Sequence, residues 1–195
     1  ERGLILKKGT IVNSTIISVP SSTKNKEKKR DPDAHQVKKG NTWHFGYKAH
    51  IGVDRDSGLV HTVEATAANV HDATETSKLL TGDEDEVYGD SGYLGAEKRG
   101  DAIIRNKAGR KIKYRINRRP SQVKKLSKSG QYAAKKAEHA KSSVRAKVEH
   151  AFGVVKKQLR FRKTRYRGLE KQRAKFNIMF ALANLILADR SCLAA

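Results

Sequence analysis

Two strand-like runs, Phe45–Asp54 (FGYKAHIGVD) and Leu59–Ala65 (LVHTVEA), are separated only by the turn Arg55-Asp-Ser-Gly58. A connection that short joins antiparallel neighbours, so the chain commits to a hairpin and a sheet. Thr10–Ile17 (TIVNSTII) is β-branched and adds a strand ahead of them. The pattern then changes. Asn69–Leu80 places Val70, Ala73 and Leu80 at near-helical spacing behind Asn69 as N-cap. Glu86–Asp90 (EVYGD) predicts a short fourth strand, ending in an acid and the turn Ser91-Gly-Tyr93, and Lys111–Ile116 predicts a fifth. Ala133–Phe161 predicts a long helix whose core stripe is Val144, Val148, Phe152, Val155 and Leu159, and Glu170–Arg190 a final, more apolar one. The sum is a mixed five-stranded α/β sheet flanked by helices, one domain over residues 1–195. Residues 21–42, opening with the polar run Ser21–Arg30, are expected to form a mobile loop or hairpin arm. Trp43, Phe45 and Tyr47 alternate on one strand face and read as core.

Composition narrows the partner. There are 42 Lys+Arg against 20 Asp+Glu, a net charge of +22 on 195 residues. Residues 105–175 hold 26 bases and three acids (Glu138, Glu149, Glu170), whereas 54–101 hold 12 acids and four bases. A folded surface so cationic calls for a polyanion, with nucleic acid ahead of an anionic membrane. One cysteine excludes a disulfide framework, and the seven histidines match no compact zinc-ligand spacing. No run approaches the ~20 apolar residues of a membrane span. The expectation is therefore a cytoplasmic protein, and the first residue, Glu1, suggests a fragment or processed chain.

The lone Glu149 stands out among these cations. At about 100° per residue, Arg145, Glu149 and Lys156 fall on one side of the second-last helix, beside its apolar stripe. One reading is an exposed ion-pair ladder worth a few tenths of a kcal/mol. The other is a metal-binding carboxylate flanked by two phosphate-holding cations. Asp90, at a strand end before Ser-Gly, divides likewise between a turn residue and a site residue. The segment Arg160–Arg167 interleaves Arg160, Arg162, Arg165 and Arg167 with aromatics, as backbone binders do.

Here a resemblance enters. Arg145-x3-Glu149-x6-Lys156 resembles the R-E-K part of the helix signature of bacterial insertion-sequence DDE transposases, and Tyr88-Gly-Asp-Ser-Gly-Tyr93 their second-aspartate motif. GTIVNSTII, PSSTKNK, RDPDAHQVKKGNTWHFGYKAHIGVD, TAANVHD, VRAKVEHAFGVVKKQ and RYRGLEK resemble, in collinear order from Gly3 to about Arg190, the group of insertion sequence five. The resemblance implies a ribonuclease H-like catalytic domain that cuts and rejoins double-stranded DNA. Three carboxylates would bind two Mg²⁺ ions (Mn²⁺ as substitute), and the active form would be a homo-oligomer, nucleoid-associated in bacteria. It assigns Asp90 as second acid and Glu149 as third, with both on the metals. Arg145 and Lys156 become phosphate-handling residues, joined at the DNA surface by Lys157, Arg160, Arg162, Arg165 and Arg167.

Two positions depart from the family pattern. Asn13 occupies the position of the first acid, which removes a negative charge from the metal site. Asp54, ending the second strand, is the fallback ligand. Ser142 stands where the signature has Tyr, and the family's N-terminal DNA-binding region is expected to be missing. A crippled or silent transposase, kept as a non-catalytic DNA-binding protein, is the alternative; a basic RNA-binding protein is the third reading.

Overall fold

The computed structural model describes residues 5–193 except Lys7 and Asn25, with side chains through Asp189; Gly3, where the resemblance begins, lies outside the described residues. Six strands form one sheet: β1 (Gly9–Ser18), β2 (His35–Lys39), β3 (Thr42–Asp54), β4 (Val60–Ala67), β5 (Glu86–Gly89) and β6 (Lys113–Ile116). The order runs β2-β3-β1-β5-β6, with β4 also on β3. β3 is 13 residues long and serves three partners. One edge pairs antiparallel with β1 from Gly46 to Asp54. The other is shared end to end, by β2 over Thr42–Gly46 and by β4 over Tyr47–Val53. Gly46 sits where these pairings meet, and a Cβ there would lie 2.2 Å from the Ile17 carbonyl oxygen, so only glycine fits.

The five expected strands are present, and β2 is the sixth. It falls inside the expected 21–42 arm, whose second half is thus a hairpin with β3. The polar, exposed face of HQVKK hid it, because alternation is readable only where one face is buried. The base of the arm is pinned. Asp31 accepts from the Tyr47 hydroxyl at 2.6 Å and from Gly168 N at 3.2 Å, and Asp33 accepts from Leu169 N at 2.9 Å. These carboxylates satisfy free N–H groups at the start of the last helix.

The expected Asn69–Leu80 helix is shorter: a 3₁₀ turn over Asp72–Glu75 runs into α1 (Thr76–Leu79). His71, not Asn69, caps it, its Nδ1 accepting from Ala73 N at 3.2 Å. After β6 come α2 (Pro120–Lys124), α3 (Lys128–Gly153) and α4 (Leu169–Leu193). α3 starts five residues before the sequence expectation, at the Ser127 cap, and continues as a π turn over Val154–Gln158. There Leu159 N reaches back to Val154 O and Phe161 N to Val155 O, and Arg160 at φ +54 ends the helix.

Each sheet face buries its own core. Ile11, Ile17, Tyr47, Ile51 and Val53 pack under α3 and α4, meeting Val148, Phe152, Val155, Phe176 and Phe180. Val12, Leu79, Val87, Tyr93 and Ile116 fill the other face. Two edge-to-face ring pairs join the helices, Phe152–Phe180 at 6.1 Å and Phe161–Phe176 at 6.0 Å. Tyr47 is buried, but Trp43 is 64% exposed, correcting its reading as core: β3 at Trp43 has only β2 beside it and no helix above. Removing the Phe176 ring leaves a cavity in a dry core, so Phe176→Ala is expected to cost about 3–5 kcal/mol. Tyr132→Ala, at a side chain 76% exposed, is expected to stay within about 0.5 kcal/mol by urea unfolding.

Candidate active site

β1 runs past its parallel partner. The β1–β5 register ends at Ile11 opposite Tyr88, and β5 stops at Gly89 while β1 continues to Ser18. Extending the register by two residues sets Asn13 beside Asp90. A crevice opens where β5 leaves off, at the strand ends where α/β sheets place their ligands. Asn13, Ser14, Lys39, Lys48, Asp72 and Asp90 are among its lining residues.

Asp90 has two roles at once. Its Oδ1 accepts from Gly92 N at 2.8 Å and caps the turn Ser91–Tyr93, while the carboxylate also lines the crevice. Asn13 Oδ1 accepts from Ser14 N at 2.8 Å. Asp72 reaches the crevice from the opposite sheet face. Its Oδ1 lies 3.0 Å from Lys48 Nζ and accepts from Ser14 Oγ at 2.9 Å. Beside them His50 is fully buried; its Nε2 lies 2.8 Å from Thr66 Oγ1, and burial pushes its pKa down to about 4. Burial first, then the Asp72 and Asp90 carboxylates, push the Tyr93 hydroxyl well above its ordinary pKa.

Glu149 does not join this crevice. It is exposed on α3, in a neighbouring groove with His150 and Lys157. Among the described residues no three Asp, Glu, His or Cys side chains converge as a metal cage. α3 packs against β1 and β5, the two strands at whose ends the crevice opens, so Glu149 is carried by an element in contact with both. Lys156, in the π turn, is half-buried. Burial, Lys39 and Arg162 lower its pKa against the pull of Glu149. Lys39 therefore borders the crevice and Lys156 together. The π turn also resets the helical phase that an uninterrupted i,i+7 step assumes. Arg145 Nη1 donates to Asn117 Oδ1 at 2.9 Å, and its Nε is buried with no partner among the described residues.

The remaining expected DNA contacts divide. Lys157, Arg160 and Arg165 are exposed. Arg162 is exposed too, but its Nε donates to Lys156 O at 3.1 Å. Arg167 bonds Glu27 at 3.3 Å and the Lys29 carbonyl, so it anchors the arm instead of standing free. Phe161 in this segment is core, against its reading as part of a binding surface. Asp54 is excluded as a crevice ligand. It pairs with Thr10 at the other end of β1, fully buried, and its Oδ2 accepts from Ser57 N at 2.8 Å and Ser57 Oγ at 2.9 Å. From the sequence, Asp72 divides between a residue at a helix start and a supporting residue near the metal site, and Lys39 and Lys48 carry no local signal. The segments TAANVHD and FGYKAHIGVD contain Asp72 and Lys48, and only the fold sets them together.

The transposase DDE domain family model matches residues 6–185. The chain belongs to this family. Its mixed sheet with flanking helices is the ribonuclease H-like fold of such domains, and the family implies a DNA partner and use of divalent metal. No solved structure matches the chain. No described helix is long and apolar enough to cross a membrane.

The crevice offers oxygen donors, but its lining is poorly matched to a pair of hard cations. Asn13 is neutral, one Asp72 oxygen is taken by Lys48, one Asp90 oxygen caps Gly92 N, and Lys38 and Lys39 add positive charge. A Cβ at Gly92 would lie 2.9 Å from Asp90 Oδ1 and 3.6 Å from Asp72 Oδ2, so a side chain there would press on the Asp90 carboxylate. The exposed cations make a simple test. Lys157→Ala is expected to weaken binding to arbitrary duplex DNA and to lower the slope of log K against log salt by about one. Lys98→Ala, on the acid-rich stretch, is expected to leave the slope unchanged in the same filter-binding titration.

Proposed function

We propose that this chain is the catalytic domain of an insertion-sequence transposase of the insertion sequence five group, built for DNA strand cleavage and strand transfer and weakened by Asn13. The observation that carries the reading is the crevice itself. The motif positions Asn13 and Asp90, distant in sequence, lie side by side at the end of β5, and the helix that carries Arg145 and Glu149 packs against β1 and β5. Ribonuclease H-like topology without that coincidence would support the fold alone.

Asp90 and Glu149 are the carboxylates assigned to Mg²⁺ or Mn²⁺, with Asn13 at the place of the missing third. A divalent ion there would lower the pKa of an attacking water or 3′-hydroxyl and stabilise the leaving oxygen. The chain's own residues do the rest. Arg145, its Nε buried and unpartnered, offers a desolvated donor to a phosphate oxygen. Lys156, partly desolvated among Lys39 and Arg162, favours an approaching anion over any further cation. Lys157, Arg160 and Arg165 hold the backbone without reading sequence. Strand transfer joins two transposon ends to a target, so the working form is a homo-oligomer.

Asn13 also favours a second reading, a DNA-binding remnant without chemistry, because an amide leaves the crevice short of one negative charge. One experiment separates the two. Asn13→Asp is expected to raise Mn²⁺-dependent nicking of a supercoiled plasmid by at least about tenfold, since even the residues behind metal ligands are worth about 10–100-fold. Glu149→Gln in that background is expected to return it to the starting level. Equal nicking before and after Asn13→Asp would remove the catalytic reading and leave the DNA-binding one.

A further inference from the structure

The β2–β3 hairpin carries an indole in water. Its register sets Gln36 opposite Phe45 and Lys38 opposite Trp43, and opposite residues of an antiparallel pair share a face. Trp43 is 64% exposed. An exposed aromatic alone is ordinary surface. Trp43, however, walls a groove of about 380 Å³ together with Arg30, Gln36, His44 and Phe45. The Arg30 guanidinium lies over the Phe45 ring, 5.7 Å from its centroid, so one wall carries a fixed positive charge. The acids of the arm do not cancel it. Asp31 and Asp33 are engaged with Tyr47, Gly168 and Leu169, and Glu27 with Arg167. An open aromatic face beside a guanidinium, a side-chain amide and exposed lysines is the make-up of a site for a nucleobase and its phosphate.

We propose that the Trp43 groove takes an unpaired nucleotide of a DNA strand, its base stacked on the indole and its backbone held by Arg30 and Lys38. The proposal deepens the transposase reading, on whose DNA partner it rests. It adds a contact that an intact duplex does not make. A paired base has both faces covered by its neighbours, so an indole can stack only on a base that has left the helix. Phosphate contacts from lysine and arginine do not make that distinction, because both forms of DNA offer the same backbone charge. Lys38 joins the groove to the crevice. It stands opposite Trp43 on the hairpin and also lines the crevice with Asn13 and Asp90. A strand that leaves the crevice along the hairpin therefore meets the indole.

The full chain carries its own probe, since Trp43 is its only tryptophan. Binding of an oligothymidine is expected to quench the indole fluorescence, and a duplex of the same length at the same salt to leave it nearly unchanged. Affinities are read from the anisotropy of fluorescein-labelled DNA. Trp43→Ala is expected to weaken single-strand binding by about tenfold, the scale of one stacked base, and to leave duplex binding unchanged. The slope of log K against log salt stays as it was, because no charge is removed, whereas Lys38→Ala lowers it by about 0.7 for the single strand. Trp43→Phe keeps a ring and is expected to recover most of the lost affinity. Circular dichroism melts of each variant establish that the comparison is among folded proteins. Equal quenching by the duplex overturns the proposal, and so does an equal loss of both affinities in Trp43→Ala or an unchanged single-strand affinity. In each of those cases the crevice reading stands, because plasmid nicking by the Asn13→Asp chain decides it separately. Binding to neither DNA removes the groove and the DNA reading together.

Discussion

The crevice depends on a mismatch in strand length. β1 has ten residues and its parallel neighbour β5 has four, and their register closes at Ile11 and Tyr88. Had β5 continued, its backbone would have filled the edge of β1 beyond Val12 with ladder hydrogen bonds. Instead the chain turns at Asp90-Ser91-Gly92. The free β1 edge, the Asp90 carboxylate and the approach from both sheet faces come from that one event. β1 itself is held in place by its other edge, where nine residues of β3 pair with it and Gly46 allows the closest approach. A long strand anchored on one side and abandoned on the other is a rigid way to expose side chains, and sites on strands are positioned more precisely than sites on loops.

Charge is then distributed around the gap with little waste. Of the acids in residues 54–101, several are structural. Asp54 holds the β3–β4 turn, and Glu84, fully buried, accepts from Thr10, Thr81 and Gly82. Glu86 pairs with Arg55 and Arg115. Asp72 and Asp90 face the crevice, which Lys38, Lys39 and Lys48 also line, with the dense cations of α3 and the segment after it on the neighbouring surface. The surface cations set up a positive field around the crevice. The same field disfavours metal in the absence of DNA, because every free cation nearby opposes a second divalent charge.

Much of the fold was legible in the sequence because burial writes periodicity. Thr10–Ile17, Phe45–Asp54 and the stripe of Val148, Phe152 and Val155 are patterned by a face they bury, and each was found within a few residues of its place. β2 buries little, so HQVKK carried no alternation to read. The helix at Asp72 is short because His71 caps it two residues beyond Asn69, a choice made by the side chain's reach and not by spacing. The site was legible in part. Asp90 and Glu149 carried local motifs, whereas the placement of Asp72 beside Asp90 depends on a parallel crossover that brings β5 beside β1. No local pattern encodes which strand ends first.

The π turn shows how a small departure from regular helix affects the chemistry. Up to Gly153, α3 keeps the phase in which Val148 and Phe152 point into the core. Widening by one residue at Val154–Gln158 lets Val154 and Val155 both stay buried and turns Lys156 toward Lys39 and Arg162. A regular helix continuing to Phe161 would have forced a choice between burying that apolar pair and presenting the lysine. Phe161 then closes on Phe176, and the chain bonds back to Ser18 at the end of β1 through Arg162 O and Thr164 N. The basic segment is thereby fastened to the same strand that carries Asn13. The backbone of Arg162 pinned to β1 at Ser18 and the Asn13 amide on the same strand therefore keep a fixed separation.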